Sequence, residues 1–302
     1  MIEAWIPITI AAAFFQNLRS ALQKHLKGKL SNTGAAYARF FYAVPFALLY
    51  VYALNYFVGY EWPQPNATFY LYCLLGGLCQ IMFTVFLLWM FSFHSFAVGT
   101  TFSKLEVVTV AIFGALLLGD GLSFGAILAI AISVLGLLAL SIGQANISWL
   151  SLFSGLRQRS TLIGIICAAW LGGSVIFYRG ASLSLEHDNF IMSASFTLAI
   201  TLVIQTLVMG IWLLVKEQGQ LQKVIQEWRW AGAVGVTGML ASVGWFTAFT
   251  IQNASYVRAL GQIELLFTFI ATTLFFREKV TQIEIFGILF ISSGILLIIF
   301  VA

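Results

Sequence analysis

Long, uninterrupted apolar stretches are the feature that most limits how this chain can fold. Residues 69–93 and 285–302 are apolar apart from a few uncharged polar side chains. About 20 such residues cross a bilayer as a helix, and inside lipid only helices and closed barrels satisfy every backbone polar group. Barrel strands alternate apolar and polar side chains, which these stretches do not do. The pattern therefore predicts transmembrane α-helices.

Charged residues make up 9% of the 302 residues, against roughly 25% in soluble domains. Apolar runs and the polar punctuation between them predict an all-α membrane protein with ten transmembrane helices. The predicted spans are residues 5–24, 34–57, 68–92, 96–118, 122–142, 161–182, 190–215, 230–251, 255–276 and 282–301. The short segments between them leave no room for a separate soluble catalytic domain.

The charges of the loops predict which face of the membrane they lie on. Nine of the 15 lysines and arginines lie outside the spans and Lys24 ends the first span; all ten lie at or after the end of an odd-numbered span. The charged residues on the opposite side are all acidic: Glu3, Glu61, Asp120, Glu186 and Asp188. Because cytoplasmic loops are the basic ones, we expect loops 1–2, 5–6, 7–8 and 9–10 to be cytoplasmic and both termini outside. The expected location is the cell membrane, or the inner membrane of a Gram-negative bacterium.

The two halves of the chain are similar at a nearly constant offset. A shift of 158 residues pairs Glu106 with Glu264, and a shift of 160 pairs Arg19 with Arg179; further pairs are Asp120 with Glu278 and Gly136 with Gly294. Residues 1–145 and 161–302 then form two five-helix repeats joined by a loop at 146–160. An odd number of spans inverts the second repeat, an architecture common in secondary transporters, with the solute site near the midplane.

Charged residues inside spans are the candidates for binding a solute, because they are costly there. Glu106 and Glu264 each lie about 15 Å into a span, and Lys104 is nearly as deep. Lys104 and Glu106 point to different faces of one helix, so we expect Lys104 to pair with a carboxylate on another helix, and Glu264 is the symmetric candidate. Gln262, the repeat mate of Lys104, belongs to the same expected site.

Arg19 and Arg179 complete the candidate set as repeat mates, although both lie close enough to span ends to snorkel to the interface. For the two glutamates the alternative is a structural polar link between helices. Gln80, Tyr178 and Gln205 are secondary candidates that equally suit helix-to-helix hydrogen bonds.

Other function classes are disfavoured by what the sequence lacks. Cys73, Cys79 and Cys167 lie in apolar runs without metal-ligand spacing, so no metal or cofactor is expected. The three histidines form no HExxH or Ser/His arrangement, so we expect no enzyme. The expected partners are a small-molecule solute, coupling protons and the lipid bilayer, without nucleic acid; a homodimer is compatible with the sequence. A non-transporting sensor or assembly subunit stays open as the alternative.

The ends of the fourth and ninth spans carry two copies of a short motif. The first copy is an apolar run at 116–118 with Gly119, Asp120 and Ser123; the second is 275–276 with Arg277, Glu278 and Thr281. This motif resembles that of the EamA type of the drug/metabolite transporter superfamily. The resemblance implies ten helices in two inverted five-helix repeats. It also implies transport of amino acids, other polar metabolites or toxic organic compounds, often outward and in some members with protons.

Two features differ from that family. The family often has a proline after the glutamate at the position of Glu264, but here Leu265 follows Glu264 and Val107 follows Glu106. The sequence therefore contains no proline at mid-depth that would predict a helix break there. The loop charges are also the reverse of those in typical members. Either the chain inserts the other way up, or the count near the amino end differs by one span.

Overall fold

The computed structural model describes residues 3–26, 29–90, 101–145, 158–274 and 281–301. Helices take up 86% of this described part, which contains no strand. They are α1 (Trp5–His25), α2 (Asn32–Phe41), α3 (Val44–Val58), α4 (Ala67–Met90), α5 (Glu106–Phe113) with a π-helical turn at Gly114–Leu118, α6 (Phe124–Ala145), α7 (Arg159–Ser184), α8 (Phe190–Lys216), α9 (Gln220–Gln226), α10 (Trp228–Ile251), α11 (Ala254–Gly261), α12 (Ile263–Leu274) and α13 (Gln282–Val301).

Eight stretches of the described residues are long and apolar enough to cross a membrane, so the chain is a multi-pass membrane protein. They are Asn32–Val58, Ala67–Leu87, Thr101–Leu118, Phe124–Gln144, Arg159–Ser184, Phe190–Lys216, Trp228–Ile251 and Gln282–Val301. Two predicted spans are not among them: α1 carries several polar side chains, and the span at 255–276 is divided into α11 and α12. The count of ten helices stays a prediction. The start of the predicted fourth span and most of the connector at 146–160 lie outside the described residues.

Local chemistry explains where several helices begin and end. The Ser31 hydroxyl accepts a hydrogen bond from Gly34 N (2.9 Å) at the start of α2, and Asn189 caps α8 in the same way. Gly59 ends α3 with φ +81°, and Gly119 ends the π-helical turn with φ +68°. Glycine suits both positions because it has no Cβ to clash in the left-handed region.

Two helix breaks lie 158 residues apart and contain no proline. At the first, Lys104 N and Leu105 N donate to Thr101 O and Phe102 O (3.3 and 3.1 Å), which are bonds to the third residue back. At the second, Gln262 N donates to Ala259 O (3.3 Å). These tighter bonds interrupt the α-helical pattern. The sequence had supplied no proline to predict either break, and the chain forms both without one.

The described residues divide into two compact units, each of which takes segments from both halves of the sequence. Unit 1 consists of Met1–Ile81 and Phe177–Gln252, and unit 2 of Met82–Ile176 and Asn253–Ala302. The repeat boundaries at 1–145 and 161–302 concern similarity along the sequence, so they stay a prediction.

In unit 1, α1 packs along α10, and α8 packs against α2, α3 and α10. Trp245 on α10 donates its indole N–H to Gln16 Oε1 on α1 (2.9 Å). The core of this unit is apolar and includes Leu26, Leu198 and Leu213, each fully buried. The helices of unit 1 therefore join through an apolar core with a few hydrogen bonds added.

In unit 2, α6 and α13 pack with their backbones in close contact. A Cβ added at Gly136 would stand 2.7 Å from both Gly287 O and Ile291 N. A Cβ added at Gly294 would stand 2.8 Å from Ala129 O across the same pair of helices. Small residues that let helix backbones approach are the usual means of association inside a membrane.

Candidate functional site

Glu106 and Arg258 form a buried ion pair in unit 2. Glu106 lies in the first turn of α5, directly after the first helix break, and Arg258 lies on α11, before the second. Their side chains are only 10% and 9% accessible. Two charges removed from water to this extent are tolerable only as a well-made pair.

Lys104 and Glu264 add a second pair of opposite charges in the same unit. Glu264 attracts both Lys104 and Arg258 electrostatically. Direct pairing of Lys104 with Glu264 stays a prediction. Glu106, Arg258, Lys104 and Glu264, hereafter the four-charge cluster, carry two negative and two positive formal charges.

The breaks place both carboxylates of the four-charge cluster at helix starts. Glu106 stands in the first turn of α5 and Glu264 in the first turn of α12. Unsatisfied backbone N–H groups give a helix start a partial positive charge that favours carboxylates. Gln262, buried at 4% exposure, occupies the break between α11 and α12. The same local geometry thus supports Glu106 and Glu264.

A threonine fixes α5 against α7 beside the cluster. The Thr109 hydroxyl lies 2.8 Å from Ala168 O on α7 and 2.9 Å from Glu106 O on its own helix. A Cβ at Gly172 of α7 would collide with Thr109, so the glycine makes this approach possible. Thr109 therefore holds the backbone that carries Glu106.

Arg19 and Arg179, the other two predicted residues, both lie in unit 1. Arg179 Nη1 donates to Phe249 O and Gln252 O (2.5 and 2.6 Å) at the carboxyl end of α10. These contacts satisfy carbonyl groups that a helix end leaves without intrahelical partners. Arg19 lies beside Arg39 over Gly238. Arg179 therefore has a structural contact that its selection as a binding residue did not anticipate.

Three of the secondary candidates form one hydrogen-bonded group in unit 1. The Tyr178 hydroxyl donates to Gln80 Oε1 (2.9 Å), and Gln205 Nε2 donates to the same oxygen (2.6 Å). Gln205 Nε2 also lies 3.1 Å from the Tyr178 oxygen. This polar triad joins α4, α7 and α8.

Sequence reasoning missed Arg258 as a member of the site. Arg258 lies near the start of the predicted span 255–276, where a long cationic side chain can reach the membrane surface. The structure instead buries it on α11, and the guanidinium reaches Glu106. The sequence signal that could have identified Arg258 was Glu106, because a deep carboxylate needs a cationic partner and few cations lie within the predicted spans.

The motif residues near the span ends serve local structure. Asp120 N donates to Gly114 O (3.1 Å) just after Gly119. The Ser123 hydroxyl accepts from Ala126 N (3.1 Å) at the start of α6. At the start of α13, Thr281 N donates to the Glu284 carboxylate (2.7 Å), a capping-box contact. Arg277 and Glu278 lie outside the described residues.

Comparison with known proteins supports the relationship inferred from these motifs. Residues 158–300 match the EamA-like transporter family, which confirms the predicted resemblance. No curated protein matches the chain. A solved crystal structure of another protein is similar with a TM-score of 0.72 at 12% identity, over 97% of this chain and 96% of that chain. At that identity the likeness concerns the fold alone.

Proposed function

We propose that this EamA-family membrane protein is a secondary transporter of a small polar metabolite, an amino acid or related solute. It moves the solute by alternating access, as an exporter, with protons as the coupling ion. Its ten transmembrane helices form two inverted five-helix repeats. The observation that carries the proposal is the four-charge cluster at two helix breaks in a membrane protein.

The cost of placing charge inside a membrane supports this reading. Four ionisable side chains on α5, α11, α12 and the segment before α5 are expensive there and mark solute or ion pathways by default. Discontinuous helices whose starts point at charged groups are a recurrent way of building transporter sites. The cluster combines both features, with acids for a solute amine or a proton and bases for a solute carboxylate.

The positions of the breaks support the inverted repeat. Lys104 and Gln262, which stand at the two breaks, are repeat mates under the shift of 158 residues, as are Glu106 and Glu264. Equivalent breaks at equivalent acids are expected if the two halves arose by duplication. Each repeat then contributes one broken helix to the site.

The same proposal assigns the surroundings of the protein. Its location is the cell membrane, with loops 1–2, 5–6, 7–8 and 9–10 on the cytoplasmic face because they hold the basic residues. Its partners are the solute, protons and lipid, with no nucleic acid and no catalysed reaction. Direction of transport follows the resemblance to EamA-type exporters.

One observation favours a second candidate. The Glu106–Arg258 ion pair is already made, as expected in a sensor or assembly subunit that uses its charges only to join helices. Such a protein would hold the pair in every state and carry no solute. A transporter must open it or use the neighbouring Lys104 and Glu264 during its cycle.

Solute counterflow separates the two candidates. The purified protein is reconstituted into liposomes loaded with a mixture of unlabelled amino acids, and uptake of one radiolabelled amino acid at a time is followed. We expect transient accumulation of at least one label above that in protein-free liposomes. If neither amino acids nor a second panel of polar metabolites accumulates, the sensor or assembly function replaces the transporter.

A further inference from the structure

Helix α9 joins α8 to α10 within unit 1 and is fastened to both ends of α2. The Tyr42 hydroxyl donates to Val224 O of α9 (3.2 Å), and the Val224 side chain is fully buried. Ser31 N donates to Gln220 Oε1 (3.2 Å), and the Ser31 hydroxyl donates to the Glu217 carboxylate (2.6 Å). One side of this short helix is therefore held against the protein, and its other side faces outward.

The neighbouring helices place α9 at the boundary between lipid tails and headgroups. Two of the membrane-crossing stretches end and begin on either side of it, at Lys216 and Trp228. Leu214 and Val215, in the last turn of α8, are 60% and 65% exposed, as expected of side chains in contact with lipid. Trp228 is 59% exposed, and tryptophan prefers the membrane interface. The segment from α8 to α10 therefore lies at the depth of the headgroups.

Three exposed cations stand on this segment. Lys216 ends α8, Lys223 lies on α9, and Arg229 lies in the first turn of α10. The Arg229 guanidinium lies 5.5 Å from the centre of the Trp228 ring, so cation and aromatic ring share the boundary. Ile225, on the outward side of α9, adds an exposed apolar side chain. Lys216, Lys223 and Arg229 are hereafter the basic patch.

The acids beside the basic patch are engaged by other groups. Glu227 pairs with Lys29 (3.0 Å), and Glu217 accepts the hydrogen bond from the Ser31 hydroxyl. Among the residues that the structure describes, no ion pair involves a member of the basic patch. The positive charge of the patch therefore faces outward.

The end of α1 lies at the same edge of unit 1. The His25 ring packs on the Trp230 ring in the first turn of α10, with the ring centroids 4.1 Å apart. In the sequence, residues 24–29 contain three lysines and no acid. The connector next to the basic patch therefore adds to its positive charge.

We propose that the basic patch binds the headgroups of anionic phospholipids, while Ile225 and Trp228 contact the upper part of their acyl chains. Charge complementarity supports this partner, because each lysine or arginine near a membrane surface strengthens the attraction for anionic lipid. Ammonium and guanidinium groups also donate charge-assisted hydrogen bonds to phosphate oxygens. The proposal is independent of what the protein transports.

A fluorescent probe on α9 measures the local lipid composition. Gln222→Cys, at an exposed position of α9, is labelled with bimane in the full chain, whose native Cys73, Cys79 and Cys167 are buried. Nanodiscs of phosphatidylcholine contain a small fraction of phosphatidylglycerol or phosphatidylcholine that carries a nitroxide quencher near the headgroup. We expect stronger quenching by the labelled phosphatidylglycerol and a smaller difference at high salt, because salt screens the attraction.

Charge variants assign the preference to the basic patch. Lys216→Gln, Lys223→Gln and Arg229→Gln should each lower the preference for phosphatidylglycerol about twofold to fivefold, since one basic residue contributes at most about fivefold. The triple variant should lose the preference, and Arg229→Lys, which keeps the charge, should retain most of it. Arg159→Gln is the matched control, because Arg159 is an exposed cation at the start of α7, in unit 2.

A second probe position separates a local site from a general effect of anionic lipid. Asp188 is exposed and precedes α8, so it lies at the opposite end of that helix from Lys216, about 40 Å away along its axis. A probe at Asp188→Cys should be quenched equally by the two labelled lipids. The same preference at both probes would overturn the proposal. So would the absence of a preference at Gln222→Cys, or a triple variant with unchanged Tm that keeps the wild-type preference.

Discussion

Glu106 is stabilised both by the start of the helix that carries it and by the guanidinium of Arg258. The first effect follows from its place in the first turn of α5, where backbone N–H groups favour a carboxylate. The second follows from the short helix α11, which buries Arg258 next to it. Removing the charge of either Glu106 or Arg258 leaves the other charge buried, with little access to water.

We predict that Glu106→Gln and Arg258→Gln each destabilise the protein by about 3–5 kcal/mol, the usual cost of breaking a buried ion pair. The double variant should be more stable than the sum of the two losses predicts, because neither charge is then left behind. Unfolding of the purified variants in detergent measures all three. Strict additivity would show that the two side chains do not interact.

The residues of the four-charge cluster were predictable to different degrees. Glu106, Glu264 and Lys104 stand out because they are charged and far from span ends, which sequence position alone reveals. Arg258 does not, since whether a side chain near a span end turns inward depends on the helix break that follows it. The roles of Arg179 at the end of α10 and of Asp120 after Gly119 depend on backbone geometry that the sequence specifies only through glycine.

Among the secondary-structure elements, the two broken helices matter most for function. Hydrophobicity predicted the long helices well, because lipid leaves few alternatives for an apolar stretch. It predicted single spans at 96–118 and 255–276, and the described parts of both are interrupted. No proline marks these interruptions, so a search for helix breakers could not find them.

The packing of α6 against α13 gives a prediction at the same scale. Gly136→Ala should destabilise the protein by about 1–3 kcal/mol or more, because its Cβ meets backbone atoms that cannot move cheaply. Gly125→Ala in the same helix should cost less, since its Cβ meets only the side chain of Val301, the last residue of α13, and no backbone atom. Thermal unfolding of the two variants compares them directly. Equal losses would mean that α6 and α13 are not in backbone contact.

The orientation of the whole molecule depends on its loop charges. We predict that cysteines placed at Glu61 and Asp188, both exposed, react with a membrane-impermeant thiol reagent added outside the cell. A cysteine at the exposed Lys223 should react only after the membrane is opened. The native Cys73, Cys79 and Cys167 are buried and should give little background.

The reverse labelling pattern would place the basic loops outside. The protein would then share the orientation of typical EamA-type members despite its charges. Labelling at all three sites from outside would instead mean that the predicted count of spans between them is wrong.

Transport by the whole molecule is expected to depend on the charge of Glu264. Glu264→Gln keeps the size and most hydrogen bonding of the side chain and removes its attraction for Lys104 and Arg258. Glu284→Gln is the matched control, because glutamine also serves in a capping box and Glu284 has that role at the start of α13.

Counterflow of the accumulated solute is measured for both variants over a range of pH, after insertion and thermal stability have been checked. We predict that Glu264→Gln loses at least about tenfold in initial rate, equivalent to about 1.4 kcal/mol, and that Glu284→Gln matches the wild type. A correctly inserted Glu264→Gln protein that transports at the wild-type rate at every pH would contradict the account and leave Glu264 as a link between helices.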